Sequence, residues 1–271
     1  MKKHHSAVLF LGAILASGCT HDKASDGQQP GTDTLAAADT VAADTVTAAV
    51  NIPFKVKNFE KKRGNNELEI DYPISGNPEL VDSVRVWMSQ QLTGTYDGNL
   101  ADADTFFRHY SAQLGEDPDL NEYGGFTQDE FDLEYVNDYI VTYAYTSYIY
   151  EGGAHGMGGT YGTTFLQSDG QIFSKDCFSS YRALQPLFVE GLKRYFKVTT
   201  DEELLNCLLG VSSLSRLSPP GMNPWVEEEG VVFSYTPYEI APYSAGSPRF
   251  TIPLAKIEPY LTPRGRLFFG L

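Results

Sequence analysis

Histidine, cysteine and basic charge are scarce in this chain, and each scarcity excludes something. The 271 residues contain 5 histidines and 3 cysteines. Past residue 50 only His109 and His155 remain, so a histidine-rich zinc centre is excluded and no metal or cofactor is expected. Lys and Arg number 20 against 35 Asp and Glu, a formal charge of −15 that becomes −17 if Lys2 and Lys3 leave with a leader. Phosphate backbones need a cationic surface, so nucleic acid is not an expected partner, whereas a basic partner would be attracted over long range. No Gly-x-Ser-x-Gly, His-Glu-x-x-His or phosphate-binding loop occurs. Cys177 precedes a helix expected over 180–197, and Cys207 lies inside one expected over 200–209. That placement disfavours a disulfide between them, although export would permit one.

The N-terminus reads MKKHHSAVLFLGAILASGC. Lys2 and Lys3 form a positive start, and Ala7 to Ala16 form an apolar run too short to span a bilayer. Small residues lead into Cys19. This order resembles a bacterial lipoprotein signal, which implies cleavage after residue 18, lipidation of Cys19 and attachment to a membrane through acyl chains such as palmitate. Residues 20–50 follow as an expected disordered tether. They repeat AADTV at 37–41 and 42–46, have no aromatic residue, and cannot bury enough apolar surface to offset the entropy of ordering. The expected location is therefore exported and membrane-anchored, on the periplasmic or cell-surface face.

The remaining body is rich in tyrosine and phenylalanine, ample for a core. Strands are expected at 54–58 and 67–72 around a Gly64-Asn65-Asn66 turn. Leu80, Val84, Met88 and Leu92 recur every fourth residue, which predicts a helix over 78–92. A second helix is expected over 103–114 with Asp102 as its cap and Phe106, Phe107, Tyr110 and Leu114 inward. Residues 139–150 alternate as one long strand, with Val141, Tyr143 and Tyr145 on its buried side, and 160–167 is the next strand. Thr200 and Glu203 have capping-box spacing. Further strands are expected at 230–235 and 249–252, and a short helix at 254–261. The predicted class is α+β with antiparallel sheets and packed helices, divided into a smaller module at 51–125 and a larger domain at 126–271.

The segment YEGGAHGMGGTYG, residues 150–162, sets glycine pairs on both sides of His155. Such pairs suit a wide hairpin loop, since glycine enters positive φ freely. A catalytic histidine needs an orienting partner, and Glu151 or Glu239 would have to supply it. The hairpin is the reading favoured here. Tyrosines concentrate around this segment and around residues 233–246, each offering an apolar face and a hydroxyl. The binding candidates are therefore Tyr148, Tyr150, His155, Tyr161, Tyr238, Glu239 and Tyr243.

The pair YEGGAHGMGG followed by SDGQIFSKDCF, and FSYTPYEIAPYSAG followed by FTIPLAKIEPYL, resembles the extracellular domain of RsiV-type anti-sigma factors. The same domain accompanies PdaC-type polysaccharide deacetylases outside their catalytic part. The resemblance is strongest over 131–265, with 51–120 similar to the smaller module that precedes it. It implies an α+β ectodomain and, in the RsiV branch, binding to lysozyme, a basic enzyme suited to an acidic chain. A lipoprotein signal and tether stand here in place of the RsiV cytoplasmic segment and membrane helix, and Gly156 stands where proline often follows the histidine. Sigma-factor control and deacetylation are therefore not carried over. The expected function is ligand binding without catalysis, to a lysozyme-like enzyme or a cell-wall glycan. The alternative is a cell-envelope hydrolase acting on peptidoglycan or polysaccharide through His155 and Glu239.

Overall fold

The computed structural model describes residues 52–93, 105, 106, 108 and 124–271. The leader, Cys19 and the tether lie outside the described residues. So does most of the helix expected over 103–114, of which Thr105, Phe106 and Arg108 are described and helical.

Strands β1 (Lys55–Arg63) and β2 (Asn66–Ser75) form a hairpin whose turn holds Gly64 at φ 59°. Both strands run longer than the sequence suggests, because charged residues fill their exposed face without breaking the alternation. Helix α1 (Pro78–Thr93) follows where the apolar spacing predicts it. Strands β3 (Phe126–Val136), β4 (Ile140–Tyr150) and β5 (Met157–Leu166) complete a five-stranded sheet in the order β1-β2-β3-β4-β5. Strand β3 is not foreseen as a separate strand from its acidic sequence, and it overturns one expectation. It pairs with β2 in parallel, with Glu67 beside Gln128 and Ile70 beside Phe131, so the sheet is mixed rather than wholly antiparallel. The sheet also draws strands from both sides of residue 125.

Helix α1 lays Leu80, Val84, Trp87 and Met88 on one face of this sheet, against Leu68, Ile70, Tyr72, Phe131, Tyr143 and Phe165. The Trp87 ring meets Phe131 edge-on at 5.4 Å and Phe165 at 5.7 Å.

The second half builds its own core. Helix α2 (Gln185–Phe196) is preceded by a 3₁₀ turn at Tyr181–Leu184, which replaces the first turn of the single helix expected over 180–197. Helix α3 (Asp201–Cys207) begins with the expected capping box. The backbone N–H groups of Thr199 and Thr200 hold the Glu203 carboxyl down to about 2. Strands β6 (Trp225–Glu227), β7 (Gly230–Ser234) and β8 (Arg249–Ile252) form a three-stranded antiparallel sheet. Its Val231, Phe233, Phe250 and Ile252 pack with Phe188 and Leu192 of α2. Helices α4 (Leu254–Ile257) and α5 (Pro263–Leu267) close the chain. Cys177 and Cys207 are unpaired, and burial pushes the Cys177 thiol up.

The two sheets meet through β6. The Thr142 hydroxyl of β4 donates to Val226 O at 2.7 Å and lies 2.8 Å from the Thr164 hydroxyl of β5, which accepts from Val226 N–H at 2.7 Å. The Trp225 ring fills the space beside Gly162, where a Cβ would collide with it. This contact buries Thr142 and Ala144, so β4 is buried on both faces along its first half rather than on the one expected.

Candidate functional site

Residues 151–156 join β4 to β5, and the first glycine pair shapes that turn. Gly152 and Gly153 take φ of 81° and 137°, a region that strains side chains. The Tyr150 hydroxyl clamps the turn, donating to Gly153 O at 2.9 Å and accepting from Gly153 N–H at 3.2 Å. The second pair has a different cause. Gly158 and Gly159 lie within β5, and neighbouring groups occupy the space of their missing side chains. A Cβ on Gly158 would sit 2.6 Å from Ser147 O and 2.9 Å from the Tyr148 ring, and one on Gly159 would sit 2.7 Å from the Tyr161 hydroxyl.

His155 is exposed on the turn. Its Nδ1 donates to Gly156 O at 2.9 Å, and its ring stacks on Tyr243 with centroids 4.7 Å apart. The Tyr243 hydroxyl donates to the same carbonyl at 2.9 Å, while Gly156 N–H donates to the Tyr148 hydroxyl at 3.2 Å. Tyr243 stacks in turn on Tyr238 at 5.8 Å. The tertiary structure thus brings His155, Tyr243 and Tyr238 into one ladder of rings that ties the hairpin to the 237–246 loop. Tyr238 is 62 % exposed and holds a left-handed φ of 68°. That backbone costs a non-glycine residue roughly 1 kcal/mol, a kind of strain that clusters at functional sites.

Three candidates stand apart from the ladder. Tyr150 serves the turn. Tyr161 is half-buried against the α1-side core, and burial pushes its hydroxyl up. Glu239 knots two loops: one oxygen accepts from Gly221 N–H at 2.7 Å, the other from Thr236 N–H at 2.9 Å and from the Thr236 hydroxyl at 3.1 Å. Lys175 donates to Gly221 O in the same knot, and burial lowers its ammonium. Among the described residues no hydrogen bond or ion pair joins His155 to Glu239 or to Glu151.

Two features escape the motif reading. The first is a cleft of about 770 Å³ beside the ladder, lined by Gly158 and Thr160 of β5, Ser234 and Arg249 of the second sheet, and Tyr195, Tyr243 and Ser247. The second is the sheet face turned away from α1. Register places Glu60, Glu67, Glu69, Asp71, Glu130 and Asp132 together on it with Lys62 among them. Lys62 is shared between Glu67 at 2.7 Å and Glu60 at 3.1 Å, surface pairs of small energetic weight. Burial, then the charges of Asp132, Glu69 and Glu67, hold the Glu130 carboxyl above its ordinary range. Asp132 is raised by burial and by Asp71 and Glu69, and Glu134 by burial and by Asp132 and Glu227. The signal was present in the sequence as acids at every second position, in ELEID and in DEFD, but only pairing sets the two runs side by side.

Residues 219–255 match the family described as "Protein of unknown function (DUF3298)". The DUF3298 segment spans β6 to β8 and carries Tyr238, Glu239, Tyr243 and Arg249, the second-sheet side of the ladder and cleft. Two solved structures share its wider fold. A DUF3298 family member from Bacteroides fragilis NCTC 9343 is 21% identical, with a TM-score of 0.62 over 81% of this chain and 96% of its own. A DUF3298 family protein from Pseudomonas aeruginosa PAO1 is 17% identical, with a TM-score of 0.52 over 78% of this chain and 94% of its own. At these identities the likeness is one of fold. No curated protein matches the chain.

Proposed function

We propose that this chain is a membrane-anchored cell-envelope lipoprotein that binds a basic protein partner and does no catalysis. The observation that carries the reading is the acidic sheet face. Burial first, and then the charge of neighbouring carboxylates, raises Glu130 and Asp132 on it, so the isolated protein bears a repulsion that a cationic partner would relieve. The RsiV-type resemblance adds the finer expectation that the partner is a lysozyme-like enzyme. Cell-wall glycan is the second reading, favoured by the exposed Tyr238 ring beside a polar cleft. A hydrolase acting through His155 and Glu239 has less support, because both side chains are engaged elsewhere.

Retention of a lysozyme on the immobilised full chain, at low and at high salt, tests the binding. Retention at low salt that high salt abolishes, and that Glu130→Gln with Asp132→Asn weakens, is the expected result. No retention at low salt removes lysozyme as the partner. The anchor is tested separately: Cys19→Ala should abolish palmitate labelling and release the chain from the membrane fraction. If the variant stays labelled and bound, the lipoprotein reading fails.

A further inference from the structure

The two edges of the five-stranded sheet are guarded differently. Strand β1 carries Lys55, Lys57, Lys61 and Lys62, the usual defence of an exposed edge against strand pairing. Strand β5, the other outermost strand, begins MGGTYGT and has neither a charged residue nor a proline. Its register against β4 runs without a bulge. An antiparallel strand directs the N–H and C=O of one residue to one side and those of the next to the other, so a single outward group fixes the rest.

That outward group is visible at the C-terminal end of β5. Phe173 N–H donates to Thr164 O at 2.9 Å, and Leu166 N–H donates to Gln171 O at 2.8 Å, from outside the sheet. Thr164 and Leu166 therefore face outward, and so do Gly158, Thr160 and Gly162. The close approach of the Thr146 and Thr160 hydroxyls, 3.0 Å, fits the same assignment, because outward residues form the close non-hydrogen-bonded pairs with β4. The chain itself begins a sixth strand on this edge, with a bridge between Phe165 and Ile172, and does not carry it to the other end. Among the described residues nothing pairs with the outward backbone of Gly158 and Thr160. Both residues line the cleft of about 770 Å³.

We propose that this edge binds an extended peptide by strand addition, the peptide continuing the sixth strand that residues 171–173 begin. Main-chain hydrogen bonds from Gly158 and Thr160 give the affinity. Gly158 has no side chain to shield its outward backbone, because Ser147 O and the Tyr148 ring already fill the space a Cβ would take. Across the cleft Arg249 stacks its guanidinium over the Trp225 ring at 5.8 Å; the charge of Glu134 reaches it but, among the described residues, no carboxylate pairs with it directly, so it favours a peptide carrying an acidic group. The inference rests on β5 and not on the acidic face. It goes beyond the proposed function, and the two can fail independently.

The test uses Thr160→Pro and Thr160→Val in the full chain. Both lose the threonine hydroxyl, and only proline removes the outward N–H. Proline is tolerated on an edge strand where its nitrogen points away from the sheet. A display library of random linear dodecapeptides is panned against the wild-type chain, and selected peptides are measured against all three proteins. The expected result is affinity within threefold for Thr160→Val and a loss of at least tenfold for Thr160→Pro, with slowed amide exchange at Gly158 and Thr160 in the wild-type complex. An empty selection, or peptides that bind Thr160→Pro as they bind wild type, overturns the proposal. If Thr160→Pro proves unfolded by circular dichroism, exchange decides: unchanged rates at Gly158 and Thr160 on saturation with peptide also overturn it.

Discussion

The two faces of the five-stranded sheet obey the same alternation and meet opposite fates. One is covered over much of its extent by α1 and a ring cluster centred on Trp87. The other is sealed only at its β4–β5 end, where β6 docks on Thr142, Thr164 and Gly162, and is otherwise a field of carboxylates. The difference teaches that burial here follows docking partners rather than strand composition. Two threonines are fully buried where β6 lands, while residues of the same strands farther along are more exposed.

Breaking the sealed face has the largest expected effect. Trp87→Ala removes an aromatic 6 % exposed and should cost about 4 kcal/mol, read as a lower urea midpoint with an unchanged slope. Next is Gly162→Ala, which forces a methyl into the Trp225 ring and should cost about 2–3 kcal/mol by the same measurement. A smaller loss follows from Thr142→Val, near 1.5 kcal/mol, because Val226 O and the Thr164 hydroxyl lose a buried partner.

The open face should respond in the opposite direction. Glu130→Gln removes a like-charge neighbour and should stabilise the fold by about 0.5 kcal/mol. The pH dependence has a definite sign. The folded chain holds the Glu130 proton more tightly than the unfolded chain, so this group favours folding below the ordinary carboxylate range and loses that contribution as pH rises through the raised value. The thermal midpoints of wild type and Glu130→Gln should therefore converge in acid and separate as pH rises. A variant that destabilises the fold at neutral pH would show that Glu130 is held by favourable contacts instead, and the contrast between the faces would collapse.

Much of the fold was readable along the chain because its signals are local. The four-residue spacing in α1 and the Thr200–Glu203 capping box each depend on residues within a turn or two, and the structure places both where the spacing does. The turn glycines Gly152 and Gly153 are of the same kind. Strand β3 was missed because its acids read as an interruption, when they are the solvent side of an alternating strand. Gly158 and Gly159 were legible as glycines but not as a site. Their reason lies in Tyr148 and Tyr161, whose positions no local pattern gives.

The sequence by itself determined the α+β class, the acidity, the α1 stripe and the helix cap, because propensity, charge and periodicity act over a few residues. Only the tertiary structure decided that β2 and β3 pair in parallel, that two acidic runs share one face, that Tyr238, Tyr243 and His155 stack, and that half of β5 keeps an open edge. Each of these joins residues far apart in the chain. Which distant pairs meet is set by how whole surfaces fit, and no short stretch of sequence carries that information.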